Sequence, residues 1–307
     1  MTFTPGIFLG RTTAFACALF FAVGALAQQP APAAKPAAPA KSAKPAAQAK
    51  SAKPAASDFK LILEPRAMEL LKATSAKLAA ARSMSFTATV GYEYPSKLGP
   101  PIVYTTRFDV LMQRPDKLRI ISPGDGPSSE FYYDGKTMTA YAPVENLAAV
   151  APAPPTIDGM LAAAFKDSAI FFPFEDLVAA DPYTALTDGG ILAFYIGQSN
   201  QVGGVATHML AWASKDVFLQ IWIGVEDKLP RRIRAIYAAD PLKLHHELEL
   251  SNWKLDPVVP ADAFASSKAQ TAGRMAFAAP APPPKGVKPL TAGKSTPAPA
   301  KAPAKTN

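Results

Sequence analysis

The chain predicts a mainly β protein with a minor helical part: one strongly curved antiparallel sheet or unclosed β-barrel, an N-terminal helix, and a helical lid. Three observations predict it. Apolar residues recur every second position in about ten short segments separated by turn residues. One stretch near residue 64 has helical spacing instead. Two short helical stretches between the two runs of strands are far more apolar than their length requires.

The foldable part comes first by exclusion. Residues 28–57 and the segment from 267 to 307 consist almost wholly of Ala, Pro, Lys, Ser, Gln and Thr. Such segments bury too little apolar surface to offset ordering entropy. One domain is therefore expected over 58–266, between a disordered linker at 28–57 and a disordered tail at 267–307. All 24 acidic residues lie between Asp58 and Asp262, whereas 13 of the 32 basic residues lie outside the domain. The remaining 19 leave the domain at a net charge of −5, so the overall +8 belongs to the leader and tails. Nucleic-acid binding needs a basic stripe on a folded face, and the sequence offers none. The Lys-Pro-Ala tails suit semi-rigid solvated spacers, or loose contact with an anionic membrane or cell-wall polymer.

Residues 1–27 have the layout of a secretory signal peptide. Arg11 supplies the positive flank, Ala14–Ala25 is apolar, and Ala25-Leu26-Ala27 is a small-x-small site, so cleavage is expected after Ala27. The destination expected is the periplasm. Cys17 is the only cysteine. It lies inside the apolar run, whereas a lipidated cysteine follows such a run, so it is expected to leave with the leader.

Glu64–Arg82 reads as a helix: Pro65 suits its first turn, and Met68, Leu71, Ser75 and Leu78 fall on one stripe. From Ser85 to Tyr94 the period is two. Pro95–Pro101 turns the chain into a second alternating strand through Met112. Short strands follow at Leu118–Ile121, Glu130–Tyr133 and around Met138–Ala140, the last two joined by the tight-turn pair Asp134-Gly135. Pro143–Pro155 reads as a loop, and Asp158–Phe165 and Phe174–Ala180 as the two apolar helices. Five strands then run in a meander: Ile191–Ile196, Thr207–Ala213, Val217–Val225, Arg232–Tyr237 and Lys243–Trp253. A two-sheet sandwich explains less well why amphipathic strands accompany apolar helices.

Catalytic and metal-binding patterns are lacking. His245 and His246 are neighbours, so on a strand they point to opposite faces and cannot share a metal. His246 and His208 each align with apolar residues and read as core histidines. No nucleophile elbow, phosphate loop or metal-ligand spacing is present. Glu175-Asp176 and Glu226-Asp227 read as solvated carboxylate pairs. Arg232 and Arg234 share a strand face, where they grip an anion or pair with acidic neighbours across the sheet. The expectation is a protein that is not an enzyme and has no cofactor and no metal.

The aromatic surplus points to binding. If the apolar helices cover a curved sheet, the space between them suits a small apolar ligand. The candidate lining on the first two strands is Phe86, Ala88, Val90, Tyr92, Phe108, Val110 and Met112. Phe131, Tyr133 and Trp222 are added from later strands, with Met160, Leu161, Phe165, Phe174 and Leu177 as lid residues.

Two blocks carry a family resemblance: Gln220-Ile221-Trp222-Ile223 followed by Leu229-Pro230-Arg231-Arg232, and Ser251-Asn252-Trp253 followed by Pro260–Phe264. With the Phe131–Lys136 hairpin, they resemble a family of predicted bacterial periplasmic proteins, a domain of unknown function. Its architecture is similar to that of the lipoprotein carriers LolA and LolB. The resemblance covers about 60–264. It implies an unclosed barrel with a helical lid over an apolar cavity, and a lipid or acylated protein as partner. The long Pro/Lys/Ala tails depart from those carriers. Two functions are therefore expected in competition: a periplasmic carrier of lipid, acyl chain or lipoprotein, or a non-catalytic envelope protein that interacts through its tails.

Overall fold

The computed structural model describes residues 61–97, 99–124 and 127–279. The leader with its expected cleavage after Ala27, Cys17, the 28–57 linker and the tail beyond 279 lie outside the described residues.

The elements run α1 (Pro65–Ala80), β1 (Ser83–Tyr94), β2 (Ile102–Gln113), β3 (Lys117–Ser122), β4 (Ser129–Tyr133), β5 (Thr137–Ala142) and β6 (Leu147–Pro152). Then come α2 (Ile157–Ser168), α3 (Glu175–Val178), α4 (Pro182–Thr187), β7 (Leu192–Ser199), β8 (Thr207–Ala213), β9 (Val217–Gly224), β10 (Pro230–Tyr237) and β11 (His245–Leu255). α5 (Ser267–Thr271) and β12 (Gly273–Met275) complete them.

All twelve strands belong to one sheet, in the order β12-β6-β5-β4-β3-β2-β1-β11-β10-β9-β8-β7. β1 is the seam, pairing with β2 on one side and β11 on the other. The margins, β12 and β7, do not pair with each other, so the sheet is unclosed. Every pairing is antiparallel except β12 with β6, which makes the sheet mixed rather than purely antiparallel.

α1 to α4 lie against one face, while α5 packs on the other, against Tyr141 and Ala148. α1 starts at Pro65, whose missing N–H falls where no intrahelical partner exists. It buries Ala67 and Leu71 against Leu210, Trp212, Ile221 and Ile223. α2 is capped by Thr156, whose hydroxyl accepts from the Gly159 N–H at 3.1 Å, and ends with Ala169 in the left-handed region. It buries Ile157, Met160, Leu161 and Ala164 against the other half of the sheet. Gly135, in the turn between β4 and β5, has φ +92, and a side chain there would collide with Asp116.

Two local devices shape the sheet. In β11 the register with β1 slips between Ser85 and Thr87, opposite Asn252, which has φ +56. This β-bulge changes the strand's phase. Leu248 and Leu250 face the helices before it. Trp253 and Leu255 do so after it. Without the extra residue Trp253 would point the other way. At the β7 margin the chain before α1 lies alongside: Ala193 donates to the Ile62 carbonyl at 2.9 Å and accepts from the Glu64 N–H at 2.9 Å. The Glu64 carboxylate also accepts from the Tyr195 N–H at 2.7 Å.

Three expectations need correction. Residues 143–155 are not all loop, since Leu147–Pro152 is β6. Its sequence, Leu-Ala-Ala-Val-Ala-Pro, lacks β-branched alternation; neighbours on both sides hold it in place. α4 is a further helix beyond the two expected, capped by the Asp181 side chain and opened by Pro182. The low-complexity boundary at 266 falls too early. Ser266 caps α5 at the Ala269 N–H, and β12 adds to β6. Small residues there (Ala148, Ala269 and Ala272) pack with Tyr141 into a separate cluster, so little bulk is needed to order the segment.

Candidate functional site

Register decides which side chains meet. Val90, Leu248, Ile233 and Ile221 form one cross-strand row. Phe108, Ala88 and Leu250 form the next. Phe86, Val110, Ile120 and Phe131 form a third, and Met84, Met112, Leu118 and Tyr133 a fourth. All of these rows face the helices.

Most of that face is filled. Phe86, Ala88, Val110, Met112, Phe131 and Tyr133 are buried in one cluster with Met160, Leu161, Phe174 and Leu177. Phe174 is the pin: its ring meets Phe86 at 5.5 Å, Phe108 at 5.6 Å and Phe172 at 5.9 Å. The Tyr133 hydroxyl donates to the Pro154 carbonyl, and burial pushes that phenol up to about 12. Arg114 ties helices to sheet, donating to the carbonyls of Val178 at 3.3 Å and Leu78 at 3.4 Å. Burial lowers its pKa, and nearby Asp158 opposes that shift. The Asp158 carboxylate accepts from the Ala180 N–H at 3.1 Å, joining α2 to the end of α3.

At the other half of the covered face the packing leaves a cavity of about 360 Å³. Val90, Tyr92 and Phe108 line it, as do Phe174 and Leu177 from the helical segment. The remaining walls come from residues outside the expected set, chiefly Leu219, Ile233, Ala235, Tyr237, His246 and Leu248 from β9–β11, with Phe171 and Leu186 from the cover. The alternation of β10 and β11 held that signal: Ile233, Ala235 and Tyr237 share one face, as do His246 and Leu248.

Two candidates lie elsewhere. Trp222 pairs with Arg232 and Met209, in a row with Glu249 and Thr89 on the opposite face of the sheet. It therefore cannot line the cavity; it sits beside the Arg232 guanidinium, 5.8 Å from its ring. One position along β9, Ile221 and Ile223 hold the apolar face, and Trp222 is out of phase with them. Phe165 is exposed rather than packed as a lid residue, its ring 6.5 Å from that of Phe171.

Several charged groups on the outer face have polar partners. Arg232 meets Glu249. Arg234 meets His245, which also contacts Glu93 at 3.2 Å. The cavity differs. Asp176 lines it while keeping contact with solvent, and desolvation pushes its carboxyl up to about 6. Glu175 beside it is pushed up to about 7, first by desolvation and then by the Asp176 charge. Glu175, half-buried, departs from the solvated reading, whereas Asp176 is exposed as that reading expects. Desolvation also raises the Tyr237 phenol, with Asp176 and Glu175 adding to the shift, and lowers His246. Among the described residues no cluster of three or more His, Cys, Asp or Glu could hold a metal ion.

These raised values predict a pH effect. The native state keeps protons that the unfolded chain releases above pH 3.8 at Asp176 and above 4.5 at Glu175. Stability should therefore fall as pH rises from about 4 towards 7. Asp176→Asn should be more stable than the parent at pH 8 by about 1 kcal/mol, the shift being discounted for solvent contact. The gain should vanish near pH 4 when urea unfolding is compared at the two pH values.

The fold defines a class: an open, single-sheet β protein whose helical segment covers one face. The chain belongs to the family described as predicted periplasmic protein (DUF2092), whose model matches residues 67–278. None of the curated proteins matches its sequence significantly. Solved structures similar to it include an uncharacterized conserved protein from Thermus thermophilus, at 12% identity and TM-score 0.40 over 69% of this chain and 99% of that one. The lipoprotein LppX of Mycobacterium tuberculosis is 12% identical with a TM-score of 0.41, over 64% of this chain and 98% of that one. A putative outer membrane lipoprotein-sorting protein domain from Vibrio parahaemolyticus is 11% identical with a TM-score of 0.33, over 65% and 96%.

Proposed function

We propose that this periplasmic protein binds a single-chain lipid or acyl group in the cavity beneath its helical segment. The carrying observation is the cavity itself: about 360 Å³, with Val90, Phe108, Leu219, Ile233 and Leu248 as apolar walls. That volume is near the small end of ligand sites, which span about 300–1,000 Å³. One alkyl chain suits it better than a triacylated lipoprotein anchor. Each buried methylene contributes about 0.8 kcal/mol before ordering costs. Adding two methylenes to a short alkyl ligand should therefore tighten binding roughly tenfold until the space is full.

Ala235 lies on the cavity wall and is 9% exposed. Ala235→Trp should fill the space and abolish binding while the fold's circular dichroism persists. Native mass spectrometry of protein purified from cells should recover a lipid adduct from the parent and none from the variant. Adduct-free parent protein, together with a flat chain-length series in calorimetry, would reject the reading.

A further inference from the structure

The cavity's polar groups are as selective as its apolar ones. No lysine or arginine occurs among the described residues that line it, and Asp176 is its acidic side chain at the mouth. Glu247 also borders the space, but its row with Gly91 and Arg234 directs its side chain to the outer face. Among the described residues no basic group forms an ion pair with Asp176. Elsewhere on the sheet Asp109, Asp227 and Glu249 each have an arginine partner. Asp176 is thus an exposed carboxylate at the edge of the cavity, with no ion-pair partner among the described residues.

Around it stand aromatic rings. Tyr237 and His246 meet edge to face at 5.2 Å, and Tyr92 stacks on Tyr104 at 5.7 Å. Tyr92, Tyr237 and His246 all border the cavity. Aromatic faces beside a carboxylate are the chemistry that recognises alkylated ammonium groups, through attraction of the cation to the ring quadrupole. An anionic head would meet the Asp176 charge with nothing to offset it.

We propose that the cavity selects amphiphiles with an ammonium head, the head lying at Asp176 between Tyr92, Tyr237 and His246 and the chain running over the apolar floor. This rests on the alkyl-binding reading and narrows it to a substrate class.

Three probes of equal chain length separate the two claims: dodecyltrimethylammonium, dodecanoate and dodecanol, titrated calorimetrically below micelle-forming concentrations at pH 8 and 150 mM salt. The ammonium should bind at least about tenfold more tightly than dodecanoate, with dodecanol between them. Asp176→Asn should bring the two charged probes within about threefold of each other, with circular dichroism matching the parent's to report that the variant is folded. Glu145→Gln, an exposed acid on the β5–β6 turn, should keep the parent's ratio. Equal or stronger binding of dodecanoate to the parent, or a ratio unaltered by Asp176→Asn, would overturn the ammonium assignment while dodecanol binding preserved the cavity reading. Failure of dodecanol to bind would overturn both.

Discussion

Phe174→Ala should lower stability by about 3–5 kcal/mol, the usual cost of emptying a buried phenylalanine site. Phe174 is 1% exposed, and its ring touches both the sheet, through Phe86 and Phe108, and the covering segment, through Phe172. Its removal leaves a void between those two layers. For a domain of this size the loss corresponds to roughly 10–15 °C in Tm. Phe171, three residues earlier and 50% exposed, provides the contrast: Phe171→Ala should change stability by less than about 0.5 kcal/mol. Thermal unfolding of both variants checks the pair. Equal effects would mean that the covering segment is not pinned where the aromatic contacts place it.

Asn252→Val should be the second most damaging change, although Asn252 is exposed. The residue holds φ +56, which a β-branched side chain adopts only at a cost of about 1–3 kcal/mol. Its amide donates to the Thr87 hydroxyl at 3.2 Å, and losing that bond adds about 0.5–1.5 kcal/mol. Relaxing the strain by straightening the strand would turn Trp253 away from Phe86, on which it stacks at 4.4 Å, and break its N–H bond to the Pro230 carbonyl at 3.0 Å. Asn252→Gly tolerates the backbone and should cost less than about 1 kcal/mol more than the lost hydrogen bond. Urea midpoints for Val, Gly and parent at this position should fall in the order parent, Gly, Val. A Val variant as stable as Gly would show that backbone handedness does not govern the bulge.

Legibility followed period. Ser83–Tyr94 and Ile102–Gln113 alternate cleanly, and their faces could be assigned from sequence: Phe86, Ala88 and Val90 do share one side. Trp222 shows the limit. Val217–Gly224 is a near-continuous apolar run, so alternation cannot tell one face from the other; only cross-strand register against Arg232 does. Trp253 was hidden for a different reason, because a bulge shifts the phase and a strict two-residue count carries past it. Glu175 and Asp176 read as solvated because adjacent carboxylates usually are; Asp176 is exposed, and the cavity it borders is completed by strands far away in the chain, which no local pattern shows. Leu147–Pro152 and Gly273–Met275 were missed because pairing, rather than intrinsic propensity, makes them strands.

The short stretch that runs beside β7 before the first helix also guards against self-association. Ile62 and Glu64 occupy hydrogen-bonding groups at Ala193 and Tyr195 that an open sheet would otherwise offer to another molecule. The far margin is occupied by three residues of β12. A twelve-stranded sheet that never closes on itself would be an invitation to fibrous growth from either side; here the chain's own flanking segments act as selvedges, and trimming them should promote edge-to-edge association.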